Sequence, residues 1–218
     1  MITKTNNDSG CGCSSNPQFD GMDLRYRRVL WVVIAINAAM FFVEMFAGRL
    51  AGSEALKADA LDFLGDTLTY GISLFVIGMS LKTRAIAAFL KGISLFCMGI
   101  FVFASTIYSV LILGLPSAHI MGGIGFLALA ANVTSVLLLL KYKDGDANVR
   151  SVWICSRNDA IGNIAVMGAA VAVWGTTTAW PDLIVAFILA SLFISSAYQI
   201  LKLAIKEYGT ETSVKQSQ

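Results

Sequence analysis

Residues 29–48 read VLWVVIAINAAMFFVEMFAG, an almost continuous apolar stretch interrupted by Asn37 and Glu44. A helix of roughly 20 apolar residues is long enough to cross the ~30 Å hydrocarbon core of a bilayer. The sequence therefore predicts an all-α membrane protein with six transmembrane helices, because five further apolar stretches follow the first. These stretches lie at residues 55–81, 85–113, 120–140, 149–174 and 183–205.

The composition also favours a membrane protein. Of the 218 residues, 56% are hydrophobic and 14% are charged, and the mean hydropathy is +0.71. A soluble domain of this length would be much more polar. The formal net charge is only +2, and the basic residues flank the helices without interleaved aromatic residues. We therefore expect contacts with membrane lipids and no binding of nucleic acid.

The positions of Lys and Arg predict the orientation of the helices. Every second loop between the predicted helices is basic, whereas the loops on the opposite side of the membrane carry Arg49, Lys57 and His119 and little else. The positive-inside rule then places both termini in the cytoplasm and makes the chain a multi-pass protein of the inner (cytoplasmic) membrane. The basic residues on the predicted cytoplasmic side are Arg25, Arg27, Arg28, Lys82, Arg84, Lys141, Lys143, Arg150, Lys202, Lys206 and Lys215.

Three regions are predicted along the chain. Residues 1–24 are polar, rich in Asn, Ser and Gly, and lack the pattern of a signal peptide, so we interpret them as a flexible cytoplasmic tail. Residues 25–206 form the six-helix membrane domain. Residues 207–218 form a short cytoplasmic tail.

The predicted second helix carries three acidic residues inside the membrane. Asp59, Asp62 and Asp66 are spaced i, i+3 and i+7, which places them within about 60° of one another on one helix face. An ionised side chain at the centre of a membrane helix costs at least ~2.5 kcal/mol and therefore usually marks a pathway or a site. Stacked carboxylates repel unless a divalent cation or shared protons neutralise them. The competing interpretation is that they cap helix ends or pair with Lys57 and Arg157.

The predicted fifth helix offers a second pair of ligands. Cys155 and Asp159 are spaced i, i+4 and share a helix face. Antiparallel packing against the second helix would bring this pair to the same depth in the membrane as Asp62 and Asp66 of that helix. Three carboxylates and a thiolate suit tetrahedral Zn²⁺ or Cd²⁺ better than Mg²⁺ or Ca²⁺. Taken alone, Cys155 is also consistent with a small buried apolar residue.

Two segments resemble motifs of the cation diffusion facilitators, a family of divalent metal transporters. They are SEALKADALDFLGD at residues 53–66 and NVRSVWICSRND at residues 148–159. The resemblance implies a metal site in which the aspartates of the first motif face the cysteine and aspartate of the second. It also implies export of Zn²⁺, Cd²⁺ or similar ions in exchange for protons, with the metal as cargo and no cofactor. A homodimer through the membrane helices is compatible with it. The implied ligands are Asp62, Asp66, Cys155 and Asp159.

Three features depart from the family pattern. Cys155 stands where the family commonly has His, which predicts a softer metal site. Only about a dozen residues follow Lys206, so we expect a short form without the family's C-terminal cytoplasmic domain. Arg157 lies between the two fifth-helix ligands, but helical geometry directs it about 180° away from them, toward another helix or the cytoplasmic surface.

Other polar residues are candidates for accessory roles. Asn37 and Glu44 lie seven residues apart on one face of the first helix and are candidates for lining an approach to the site. Asp59 and Asp182 are candidates for relaying ions near the outer mouth.

Two more thiols lie in the predicted N-terminal tail. Cys11 and Cys13 are spaced i, i+2 around a glycine and either capture a soft metal ion or are an incidental pair. The cysteines of the chain lie in this tail and inside helices, which argues against a disulfide framework.

The function predicted from these patterns is a proton-coupled exporter of divalent metal cations, a secondary active transporter and not an enzyme. A thiol enzyme would need a base beside Cys155, yet the single histidine, His119, lies in a distant loop. A third interpretation is a membrane metal sensor or partner protein that binds an ion without moving it. Arg157 and the expected lack of a cytoplasmic domain favour that interpretation, and a flux measurement separates it from transport.

Overall fold

The computed structural model describes residues 23–76, 81–111, 114–143 and 147–216, apart from the side chains of some helical residues, Cys155 among them. Within these ranges the chain is helical and contains no strand, which confirms the all-α membrane class. Six α-helices and one short 3₁₀ turn follow one another. They are α1 (Leu24–Ala51), α2 (Glu54–Val76), α3 (Leu81–Leu111), α4 (Ala118–Leu139), the 3₁₀ turn (Leu140–Tyr142), α5 (Ala147–Thr176) and α6 (Trp180–Gln216).

Five helices are long and apolar enough to cross a membrane, and α2 is the exception. The described spans are Leu24–Ala51, Ile86–Leu111, Ala118–Tyr142, Ser156–Thr176 and Trp180–Lys202. The 23 residues of α2 are interrupted by five charged residues, and most of its first half is buried against other helices. The bundle therefore shields its most polar helix from lipid, which keeps the desolvated charges among protein groups. The five charged residues are Glu54, Lys57, Asp59, Asp62 and Asp66.

A tight reversal joins α1 to α2. Gly52 adopts a φ of +67°, a left-handed conformation that ends α1 without a Cβ penalty. The amide of Ser53 donates to the carbonyl of Gly48 at 3.0 Å. A Cβ on Gly48 would lie 3.1 Å from the backbone nitrogen of Lys57, so the two helices approach closely here. This close approach brings α1 side chains against the buried face of α2.

The helices α3 and α6 form a closely packed pair. A Cβ on Gly92 would lie 2.7 Å from Cγ of Leu201, and a Cβ on Gly99 would lie 2.8 Å from Cγ1 of Ile194. Both positions therefore require glycine for α6 to approach. The helix α2 contacts both members of this pair and also α1 and α5, so it lies at the centre of the bundle.

Several helices are longer than their apolar stretches. The first predicted span begins at residue 29, whereas α1 begins at Leu24 behind the N-cap Asp23, whose carboxylate accepts from the Arg25 amide at 2.9 Å. The last predicted span ends at residue 205, whereas α6 continues to Gln216 through most of the stretch predicted as a tail. Apolar periodicity reports the hydrocarbon-facing part of a helix, and polar turns extend beyond it. Residues 1–22, with Cys11 and Cys13, lie outside the described residues.

Candidate functional site

A pocket of about 250 Å³ lies where α2, α5 and α6 meet beside α3. One side is apolar, formed by residues such as Leu95 and Phe193, and the other side is polar. We call it the acidic pocket because three carboxyl groups line it. Its polar lining comprises Asp62, Asp66, Thr69, Asn158, Asp159 and Ser196.

The three carboxyl groups converge from two helices. Asp62 and Asp66 lie one turn apart on α2, and the carboxyl group of Asp159 on α5 lies close enough to interact with both. Asp66 is buried and Asp62 is half-buried. Like charges held this close in a region shielded from water repel strongly, so the arrangement favours a bound cation or protons among the carboxyl groups.

The fourth predicted ligand lies outside the described side chains. Cys155 is on α5 one helical turn before Asp159, and its backbone is helical. Among the side chains that the structure does describe, no three His, Cys, Asp or Glu residues are arranged to hold a metal ion. The described carboxylates therefore do not form a complete coordination shell by themselves.

A second pair of carboxyl groups lies beside the acidic pocket. Glu44 on α1 and Asp59 on α2 are both buried, and their carboxyl groups interact with each other. Neither carboxylate oxygen of Glu44 accepts a hydrogen bond within the described ranges, and the same holds for Oδ2 of Asp59. A buried carboxylate without a donor is costly. The Glu44–Asp59 pair therefore needs a proton or a cation between its members.

Asn37, the other candidate on α1 for an accessory role, has a hydrogen-bond partner for only one of its two side-chain polar atoms. Asn37 is buried and donates through Nδ2 to the carbonyl of Val33 at 2.9 Å. No described residue donates to its Oδ1. Asn163, one turn beyond Asp159 on α5, is fully buried, and neither its Oδ1 nor its Nδ2 has a partner in the described part of the chain. Sequence reasoning missed Asn163, although its i+4 spacing from Asp159 was a readable signal.

Asp182 lies away from the acidic pocket and caps α2. Its Oδ2 accepts from the Glu54 amide at 2.8 Å, and its Oδ1 accepts from the Ala55 amide at 3.1 Å and from the Ser53 hydroxyl. These bonds satisfy donors at the helix N-terminus that have no partner within α2. The carboxylate of Asp182 thus accepts hydrogen bonds from the N-terminal backbone amides of a neighbouring helix.

Glu54 extends this arrangement to α3. Its Oε1 accepts from Lys57 Nζ and from the Ser109 hydroxyl, each at 2.7 Å, and its Oε2 accepts from the Ser105 hydroxyl at 2.7 Å. We call the whole group the cap cluster. It consists of Ser53, Glu54, Lys57, Ser105, Ser109 and Asp182.

Two further polar contacts near the acidic pocket were not predicted. The buried Tyr70 hydroxyl lies 3.3 Å from the Ser156 hydroxyl of α5. Lys91 Nζ on α3 donates to the Ser73 hydroxyl of α2 at 2.7 Å. Lys91 is the single charged residue in the apolar stretch 85–113, which was the available signal. Arg157 is exposed and donates to Oδ1 of Asn158 at 3.3 Å.

A helical bundle with membrane-length helices and buried carboxyl groups around a pocket is typical of ion-transport proteins. More specifically, the chain belongs to the cation efflux family, because the model of the cation efflux transmembrane domain matches residues 30–207. The family match includes α2 to α5 and most of α1 and α6.

Relatives in bacteria agree with this membership. The chain is 27% identical over 201 residues to the zinc transporter ZitB of Escherichia coli (strain K12), an alignment that covers 85% of this chain and 63% of the relative. It is 26% identical over 204 residues to zinc transporter ZitB of Yersinia pestis, with the same coverage. The chain therefore spans less than two thirds of the length of these relatives.

Proposed function

We propose that this protein exports a divalent metal cation of the Zn²⁺ or Cd²⁺ type in exchange for protons, as a secondary active transporter. The observation that carries the proposal is the convergence of Asp62, Asp66 and Asp159 on one pocket between α2 and α5. Membership of the cation efflux family and the similarity to the zinc transporter ZitB support it.

Cys155 completes the proposed coordination shell. It precedes Asp159 by one helical turn and therefore shares the helix face of that ligand. A thiolate beside carboxylates favours Zn²⁺ and Cd²⁺ over Mg²⁺ and Ca²⁺, which prefer shells made of oxygen alone. In this proposal the metal ion is the cargo and the protein holds no resident cofactor.

Proton exchange follows from the same ligands. Carboxyl groups and a thiol must lose their protons before they bind a metal ion, so metal entry from the cytoplasm releases protons. Protons arriving from the opposite side return to the ligands and displace the ion. Because α2 lies between the α3–α6 pair and α1 and α5, rocking of these groups would expose the pocket to each side in turn.

The Glu44–Asp59 pair is proposed as an accessory station for protons or the passing ion. Glu44 and Asp59 interact electrostatically with Asp62, so occupation of the pocket changes the charge that they experience. Asn37 lies on the same helix face as Glu44 and is proposed to line this approach. The cytoplasmic orientation, the inner-membrane location and a homodimer stay predictions from the sequence.

Transport into proteoliposomes tests the proposal. The full chain is reconstituted with an imposed pH gradient, and uptake of Zn²⁺ and Cd²⁺ is measured for the wild type, Asp66→Asn and Asp23→Asn. Asp23 is exposed at the start of α1 and is the matched acidic control. We expect gradient-driven flux in the wild type and the control and none in Asp66→Asn. Export by Asp66→Asn at the wild-type rate would contradict the proposed site.

The sensor interpretation has a separate signature in the same experiment. Stoichiometric binding of Zn²⁺ or Cd²⁺ by the wild type without any flux would favour a sensor over a transporter. The exposed position of Arg157 removes one of the arguments for a sensor, because its guanidinium group does not face into the acidic pocket.

A further inference from the structure

Lys91 is a charged side chain inside a membrane span. It lies within the span Ile86–Leu111 and is half-buried, with its Nζ bonded to the Ser73 hydroxyl at 2.7 Å. Placing a lysine in the membrane interior costs free energy, so lysines there are rare and usually mark a pathway or a site. The contact with Ser73 alone does not require a charge, since a neutral donor would serve the same hydroxyl.

The packing of α3 directs Lys91 toward the acidic pocket. One face of α3, with Gly92 and Gly99, is pressed against α6. The adjoining side of the same surface contacts α2, because a Cβ on Gly65 would lie 3.2 Å from Cδ2 of Leu95. Lys91 lies four residues before Leu95 and therefore on the face that contacts α2. Since α6 prevents rotation of α3, this orientation is maintained by the bundle.

Ser73, the α2 residue that Lys91 contacts, lies on the same helix face as residues that line the acidic pocket. Ser73 follows Asp66 by seven residues, two helical turns or ~10 Å along the axis on the same face. Thr69 lies between them and lines the pocket. The ammonium group of Lys91 is close enough to attract the Asp66 carboxylate. It lies toward the end of α2 that the distribution of basic residues predicts to be cytoplasmic.

We propose that Lys91 is a tethered counter-cation of the acidic pocket that weakens metal binding and so promotes release of the ion. The inference rests on the proposed function, because it assumes a divalent ion among Asp62, Asp66 and Asp159. In the empty pocket the ammonium group offsets part of the carboxylate charge. When the ion is bound, the same ammonium group repels it. Lys91 is thus a positioning residue that acts through the field at Asp66, and Ser73 holds its Nζ in place.

Zn²⁺ binding to the purified full chain in nanodiscs, measured by calorimetry, tests the inference. Lys91→Gln keeps a hydrogen-bond donor for Ser73 but removes the charge, whereas Lys91→Arg keeps the charge. We expect Lys91→Gln to bind Zn²⁺ about tenfold more tightly and Lys91→Arg to stay within about twofold of the wild type. In transport, Lys91→Gln should lower both KM and kcat, because the ion is held more tightly and released more slowly.

Controls separate this inference from general charge effects and from the proposed function. Lys141→Gln removes an exposed charge from the 3₁₀ turn and should leave the affinity unchanged. Wild-type affinity in Lys91→Gln, or equal changes in Lys91→Gln and Lys91→Arg, would overturn the counter-cation role. If Lys91→Gln does not fold, Ser73→Ala releases the ammonium group without changing any charge and should tighten Zn²⁺ binding to a smaller extent; an unchanged affinity would overturn the inference. Absence of Zn²⁺ binding by the wild type would instead contradict the proposed function.

Discussion

The acidic pocket and the cap cluster both gather carboxyl groups around α2, but the partners of those carboxyl groups differ. In the cap cluster every carboxylate oxygen of Glu54 and Asp182 accepts at least one hydrogen bond. In the acidic pocket Asp62 and Asp66 both interact with the carboxyl group of Asp159, and Asp66 also interacts with the Tyr70 hydroxyl. The Glu44–Asp59 pair next to it has oxygens that no described donor reaches.

We expect this difference to separate carboxyl groups that stabilise the fold from carboxyl groups that bind a cation or a proton. Donors placed around a carboxylate stabilise its charge and make the group part of the fold. Carboxylates whose neighbours are other carboxylates retain a capacity for a cation or a proton, at a cost to stability. Burial by itself does not distinguish the two regions, since Asp182 of the cap cluster is 1% exposed and Asp66 of the acidic pocket is 8% exposed.

The sharpest test of the comparison is a matched substitution in the acidic pocket. Asp62→Asn should weaken Zn²⁺ binding by on the order of 100-fold, because a charged ligand is lost from a site shielded from water. The melting temperature without metal should be unchanged or higher, because repulsion between carboxylates is relieved. Calorimetry and thermal unfolding of the metal-free chain measure both quantities. A large loss of stability with unchanged Zn²⁺ affinity would show that Asp62 stabilises the fold and does not bind the ion.

The second prediction concerns the cap cluster and has the opposite pattern. Asp182→Ala removes the acceptor for two backbone amides and the Ser53 hydroxyl, so the free energy of unfolding should fall by about 2 kcal/mol. Zn²⁺ affinity should stay within about twofold of the wild type, since Asp182 does not line the acidic pocket. Asp182→Asn keeps one acceptor and should be less destabilising. Loss of binding without loss of stability would indicate that Asp182 belongs to the ion pathway.

The smallest expected effect is at the Glu44–Asp59 pair. Glu44→Gln supplies an amide donor to Asp59 and should raise the free energy of unfolding by about 1 kcal/mol, because a buried acceptor gains a partner. The number of protons released per Zn²⁺ bound, measured by calorimetry in buffers of different ionisation enthalpy, should decrease. Lower stability together with unchanged proton release would show that Glu44 is a structural residue, as Glu54 is.

Much of the fold was readable from the sequence. Long apolar stretches predict membrane helices because hydrocarbon leaves the backbone no other partner than its own helix. The helix ends were less accurate, since α6 continues through polar turns to Gln216. The spacing of Asp62 and Asp66 also indicated a shared helix face, and the structure places both beside Asp159.

What the sequence by itself determined is the class of protein, because composition and the period of the α-helix depend only on residues near one another in the chain. Tertiary structure decided which buried acids have donors, since the partners of Asp182 are more than 120 residues away in the chain. It also decided that Lys91 bonds Ser73 of α2, near enough to Asp66 to attract its carboxylate, because close packing at Gly92 and Gly99 fixes α3 against its neighbours. Hydrogen bonding and electrostatics act across space between helices, so no local pattern in the sequence reports them.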